Sequence, residues 1–201
     1  MSNDNTPGEG GTGRLVIVSG PSGAGKTTVL KQLFERCSVP LVASVSATTR
    51  PPRRGEVDGR DYHFLSDDEF QRRRQQGEFL ECVEVFRSGH WYGTLNRQVE
   101  AGLSAGRCVV LEIDVEGARK VIEQRPQAIS FFVRPESWEE LEKRLKGRGT
   151  ESEEAVRCRL ARAREELEQA DRYDYQIVND QVERAADEMC RILASCLAAA
   201  E

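Results

Sequence analysis

Gly20-Pro21-Ser22-Gly23-Ala24-Gly25-Lys26-Thr27 is the stretch from which the rest of this chain is read. It fits G-x-x-x-x-G-K-[ST] and lies between a β-branched run, Leu15 to Ser19, and a helical pattern, Thr27 to Phe34. Glycines let successive backbone N–H groups converge on one point without Cβ interference. The N-terminus of the following helix favours negative charge at that point. A loop of this kind cradles phosphates. Lys26 would reach the β and γ phosphates, Thr27 would offer its hydroxyl to Mg²⁺, and Thr28 extends the contact surface. The motif, in its strand–loop–helix context, predicts a bound nucleoside triphosphate.

Working outward, Met1 to Gly13 is rich in Gly, Asn and Thr and has no apolar h-region. It reads as a disordered tail, not a secretory signal. On the other side, strand-like runs at Val42–Ala47, Glu78–Val85, His90–Tyr92, Cys108–Asp114, Ser130–Val133 and Gln176–Val178 alternate with helical patterns. Those patterns cover Thr94–Ala105, Val115–Gln124 and Val182–Leu197. Ser/Thr-x-x-Glu boxes beginning at Ser66, Ser137 and Thr150 mark further helix starts, the last two on either side of a Gly147-Arg148-Gly149 break. Near-continuous apolar strands indicate a parallel sheet covered on both faces. The prediction is an α/β domain over residues 14–198, mostly parallel and flanked by helices, with a β-rich insertion at about 45–95.

Composition excludes several classes. The 201 residues carry a formal charge of −5, whereas a general nucleic-acid binder is usually basic. No apolar run approaches the roughly 20 residues of a membrane span. The six cysteines form no Cys-x-x-Cys pair, and His63 and His90 have no metal partner in sequence. The expectation is reduced, buried thiols in a cytoplasmic protein. Arg72-Arg73-Arg74 reads as an exposed helix face, and Trp91 and Trp138 as packing residues.

The segment Ser46-Ala47-Thr48-Thr49-Arg50-Pro51-Pro52-Arg53-Arg54-Gly55-Glu56, continuing to Asp61-Tyr62, places two arginines three apart on a proline-stiffened loop. Such a pair can clamp a second phosphate through planar forks. With the phosphate loop, this segment resembles the guanylate kinase family. The resemblance also rests on Tyr92-Gly93-Thr94, Leu111-Glu112-Ile113-Asp114-Val115-Glu116-Gly117 and Gly147-Arg148-Gly149-Thr150, in family order and spacing. It covers Arg14 to about residue 198. The chain departs from a common family form at Glu112, often Asp, and at Cys82, often aromatic.

The resemblance implies a P-loop kinase fold with a small GMP-binding subdomain and a helical lid at about 147–167. It implies that Arg50, Arg53 and Tyr62 hold the GMP phosphate, with Tyr92 beside them, and that Glu81 reads guanine. A carboxylate can accept from both the ring N1–H and the exocyclic amino group, whereas adenine presents a bare lone pair at N1. Ser46 and Thr94 match hydroxyls near the O6 and N7 acceptors, and Asp114 an acid near the amino group. Arg148 and Arg159 match lid arginines over the ATP phosphates. Arg144 lies one turn before Arg148, and Asn179 matches a position near adenine.

The implied activity is transfer of the γ-phosphoryl group from MgATP to GMP, with Lys26, Arg50, Arg53, Arg148 and Arg159 stabilising the transferred charge. The implied partners are ATP and GMP, without nucleic acid or membrane, on a monomer or homodimer. A phosphopeptide-binding module of the same fold would lack the intact phosphate loop. A kinase for another monophosphate would not need the set from Glu81 to Thr94.

Overall fold

The run before the glycine loop forms β1 (Leu15–Ser19), buried along its whole length. A computed structural model of the chain describes residues 13–85, 89–146 and 153–199. The expected tail therefore falls outside the described residues except for Gly13, as does the third capping box except for Glu153. After the loop, α1 (Lys26–Arg36) buries Val29, Leu30 and Leu33 at helical spacing.

Five strands make a parallel sheet in the order β2-β7-β1-β8-β9, formed by β1, β2 (Leu41–Ala43), β7 (Cys108–Glu112), β8 (Ile129–Pro135) and β9 (Tyr175–Asn179). A second sheet, ordered β4-β3-β6-β5, is built from β3 (Ala47–Thr48), β4 (His63–Phe64), β5 (Phe79–Val85) and β6 (His90–Leu95). The other helices are α2 (Asp67–Gln75), α3 (Asn96–Ser104), α4 (Val115–Gln124), α5 (Trp138–Lys146), α6 (Glu153–Leu167) and α7 (Val182–Ala198). The alternation of strands and helices is the α/β pattern expected from the sequence.

The chain divides into two compact units. The first comprises Met1–Leu15, Leu41–Leu111 and Arg119–Ala128, and the second Val16–Pro40, Glu112–Ala118 and Ile129–Glu201. In the first, Ala47, Phe70 and Leu95 form a core closed by Leu65, Phe79, Cys82 and Trp91. Trp91 packs there as expected, with the Arg74 guanidinium 4.4 Å from its ring centre. In the second, Leu141, Leu145 and Ala163 join α5 to α6, and Trp138 lies against them.

Several strand ends shift by one to three residues from the sequence reading, and two differences change the topology. The single strand expected at Val42–Ala47 is two, because β2 pairs with β7 while β3 pairs with β4 and β6. Residues 44–46 link them, and Gln98 accepts the Val45 N–H at 3.1 Å. Thr94, expected to open a helix, belongs to β6, where it pairs with Glu81, and the helix starts at Asn96. The boxes at Ser66 and Ser137 form as read: each hydroxyl accepts the N–H three residues on, at 3.2 Å.

The thiol expectation is corrected. Cys37 and Cys190 form a disulfide, with Cα atoms 5.4 Å apart across 153 residues of sequence. Cys37 caps the end of α1 and Cys190 lies in α7, which packs along it. Arg36 forks onto Asp187 across the same helix pair at 2.7 and 2.8 Å. Motif spacing cannot reveal a partner brought in by helix packing. Of the free cysteines, only Cys108 is buried; Cys158 is exposed. Among the described residues no helix is long and apolar enough to cross a membrane.

Candidate active site

The phosphate loop lies in the second unit and turns on glycines for steric reasons. Gly20, Gly23 and Gly25 all have positive φ, and a Cβ at Gly20 would run into the Val133 carbonyl. Gly25 caps α1 in the left-handed region, where a Cβ would meet the Asn179 amide. That amide is buried and donates to the Ala24 carbonyl at 2.7 Å. Asn179 therefore fixes the loop's backbone in this structure. Arg144, on α5, donates to the Asn179 carbonyl at 3.3 Å and to Glu140 at 2.9 Å.

Lys26 Nζ donates to the Gly20 and Pro21 carbonyls at 2.7 and 3.2 Å. Burial pulls its ammonium below the usual lysine range, and Glu112, Glu166 and Asp114 pull it back. Thr27 Oγ1 donates to Glu112 Oε1 at 2.6 Å. An alcohol and a carboxylate oxygen are hard ligands, and Mg²⁺ needs only one or two of them when phosphate and water supply the rest. The pair fits that cation. Among the described residues no cluster of three or more His, Cys, Asp or Glu could hold a metal by itself.

Helix α6 presents one face to this loop. Arg159 Nη2 donates to Ser22 Oγ at 3.0 Å, and Glu166 Oε2 accepts the Ser22 N–H at 3.3 Å. Between them Arg162 Nε donates to Glu166 Oε1 at 3.1 Å, and Arg162 Nη2 lies 3.8 Å from Asp114 Oδ2. Asp114, just past β7, also accepts the Gly117 N–H at 2.7 Å. Burial pushes its carboxyl up, against that hydrogen bond and the Arg162 charge. The spacing 159, 162, 166 is that of one helical stripe.

The first unit carries a different constellation. Glu81 is 6% exposed on β5, and its Oε1 accepts the Thr94 hydroxyl at 2.8 Å. The two face each other because β5 and β6 pair antiparallel, Glu81 opposite Thr94. Arg50 is clamped by Glu56 at 2.9 and 3.0 Å and also donates to Tyr92 Oη at 3.1 Å. Its guanidinium lies 5.4 Å from the Tyr62 ring centre, and Tyr62 meets Tyr92 edge to face. The Glu56 partnership holds Arg50 charged and draws the Glu56 carboxyl below its usual range. Arg53 is exposed, and its N–H donates to Glu56 at 2.6 Å. The Ser46 carbonyl accepts the His63 N–H at 2.9 Å.

A phosphate loop with a serviced lysine, and a buried carboxylate beside an arginine fork, are the features of the family suggested by the sequence. The guanylate kinase family model matches residues 12–196. The guanylate kinase of Rhodopirellula baltica is 56% identical over 184 residues, covering 90% of this chain and 87% of that protein. That of Rubrobacter xylanophilus is 52% identical over 187 residues, covering 92% and 96%. The chain belongs to the guanylate kinase family. The fold agrees: the crystal structure of the Anaplasma phagocytophilum guanylate kinase superposes with a TM-score of 0.76 at 35% identity, covering 94% of this chain and 88% of that one.

Within this guanylate kinase family member, the residues assigned to GMP fall in the first unit except Asp114, which joins the cluster around Lys26 and Arg162. The described residues among those assigned to ATP all fall in the second unit, and Arg148 is outside the described residues. Sequence reading missed Glu56, Arg162 and Glu166. The stripe along α6 was the available signal, but helical arginines and glutamates ordinarily face solvent, so it stood out only once the loop lay against it.

Proposed function

We propose that this chain transfers the γ-phosphoryl group of ATP to the phosphate of GMP, giving ADP and GDP in purine nucleotide recycling, with Gly20 to Thr28 as donor site and the constellation around Glu81 and Arg50 as acceptor site. Membership of the family supports the reaction. The observation that carries the guanine assignment is the buried carboxylate of Glu81 held by Thr94. A buried acid accepts paired N–H donors well, and guanine offers two on one edge. The Thr94 hydroxyl can rotate to offer its proton to O6 or N7. Ser46 shares that task.

No general base is required, because a phosphate monoester is already largely ionised at neutral pH, its second pKa being near 6. Catalysis is positioning and charge stabilisation of an in-line displacement. The bond from the γ phosphorus to the bridging oxygen breaks as a GMP phosphate oxygen bonds to it. Arg50, Arg53, Tyr62 and Tyr92 orient the acceptor phosphate. Lys26, Arg144, Arg148 and Arg159 carry the donor's charge, Asn179 sits beside the adenine and Asp114 near the guanine amino group. Thr27 and Glu112 would hold Mg²⁺, which would supply neutralisation of phosphate charge. The chain acts as a monomer or homodimer, in the cytoplasm, where both substrates meet it.

One coupled assay tests the reading. With ATP as donor, GMP is turned over and AMP, CMP and UMP are poor acceptors. A preference for any other monophosphate overturns it.

A further inference from the structure

The phosphoryl-transfer reading leaves Glu166 without a task. A buried carboxylate is costly unless a cation and hydrogen bonds compensate it, and here Arg162 Nε and the Ser22 N–H do so, at 3.1 and 3.3 Å. Ser22 belongs to the phosphate loop, so its N–H is a donor of the kind a phosphate oxygen takes. Glu166 is 8% exposed and 144 residues away in sequence, and it puts a negative charge on the loop that must accept a polyanion. Its field reaches Lys26 as well. The bond to Ser22 is longer than the roughly 2.7–2.9 Å of a tight charge-assisted pair, so it can be exchanged.

Arg162 shares the stripe with Arg159, which already touches Ser22 Oγ. Arg162 is compensated twice, by Glu166 and at 3.8 Å by Asp114. It can therefore release one partner without leaving the cluster.

We propose that Glu166 is an internal anion displaced from the Ser22 N–H by the triphosphate, and that Arg162 then passes from Glu166 to the phosphates as a further donor-site cation. The proposal rests on the donor-site reading above. Its consequence is that the chain holds ATP and ADP less tightly than the loop and its cations allow, which favours product release.

Two variants of the full chain test it by sign. Glu166→Gln keeps size and an acceptor for Ser22 but removes the charge. The dissociation constant for a non-hydrolysable ATP analogue, measured by calorimetry, should fall at least about threefold at low salt, with the gain shrinking as ionic strength rises. Arg162→Gln should raise that constant at least about threefold. Loss of a purely structural ion pair would move both variants the same way, so weakened or unchanged binding in Glu166→Gln overturns the proposal. GMP affinity and a cooperative melt report folding. If Glu166→Gln fails them, Glu166→Asp, which withdraws the carboxylate by one methylene, takes its place: tighter binding supports the proposal, equal or weaker binding overturns it. Lys26→Ala separates the two readings. If that variant turns over normally, the donor-site reading falls whatever sign Glu166 gives. If it is inactive and both α6 variants weaken binding, only the displacement proposal falls.

Discussion

The two regions proposed to read phosphate both cover their cations with a carboxylate, but the carboxylates differ in reach. In the arginine loop, Glu56 accepts from Arg50 through both oxygens and from the Arg53 N–H, all within seven residues of sequence. In the phosphate loop, Glu166 arrives from α6 and accepts from Ser22 and Arg162. A clamp closed inside its own loop forms with that loop and holds its shape. A clamp that depends on a distant helix can be exchanged while both elements stay folded. On the proposed assignments, the acceptor region is a framework with its charges fixed, and the donor region is a balance of charges for a ligand to redistribute.

The sharpest way to separate the regions is to disable each alone. Lys26→Ala removes the cation that the loop carbonyls hold, while the glycine turns stay as they are. Turnover should fall at least about a thousandfold with GMP affinity within about threefold, read by steady-state kinetics and calorimetry. Retention of a tenth of wild-type turnover would remove Lys26 from the transition state. Glu81→Gln is the converse: one guanine N–H then faces an amide donor, leaving a buried polar group unsatisfied. GMP efficiency should drop at least about a hundredfold with ATP affinity within about threefold, and discrimination against AMP should shrink by a similar factor. An unchanged GMP-to-AMP ratio would mean the base is read elsewhere.

The sequence disclosed these two regions unequally. The phosphate loop was readable from eight contiguous residues, because its chemistry is backbone chemistry and needs only glycines, a lysine and a helix start. The parallel strands were readable from apolar runs, and the helix starts at Ser66 and Ser137 from their boxes. The carboxylate proposed to read guanine was visible only through family resemblance, since Glu81 alone looks like any strand carboxylate until Thr94 stands opposite it. Glu166 and the Cys37–Cys190 pair were invisible for a further reason. Their partners are set by how α6 and α7 pack, and no local pattern encodes that.

The disulfide offers a test confined to the second unit. It closes a loop of 153 residues, and a bridge of that span typically stabilises by at least about 2 kcal/mol. For a chain of this size that corresponds to a melting-temperature loss of about 4–8 °C on reduction. Cys37→Ser should melt at the lower temperature with or without reductant. The bridge lies at the far end of α1, eleven residues past Lys26 and so on the order of 16 Å along the helix. Turnover below the melting range should therefore be unaffected. A reductant-insensitive melt would show that the two thiols are not joined in solution.

The smallest effect bears most directly on the contrast between framework and balance. Glu56→Gln removes the charge that grips Arg50 and leaves a single amide oxygen in place of three accepted hydrogen bonds. If Glu56 merely competed with the GMP phosphate for Arg50, as Glu166 is proposed to compete for Ser22, the variant would bind GMP more tightly. The local geometry argues otherwise. Glu56 also holds the Arg53 N–H at 2.6 Å, so it sets the turn on which both arginines stand, while Tyr92 Oη and the Pro51 carbonyl orient Arg50 from other sides. Loosening that turn costs preorganisation of the fork, and the KM for GMP should rise about fivefold with kcat within about threefold. Steady-state kinetics with varied GMP at saturating ATP decides it. A lowered KM would mean that both regions work by displacement and that the difference in reach has no functional meaning.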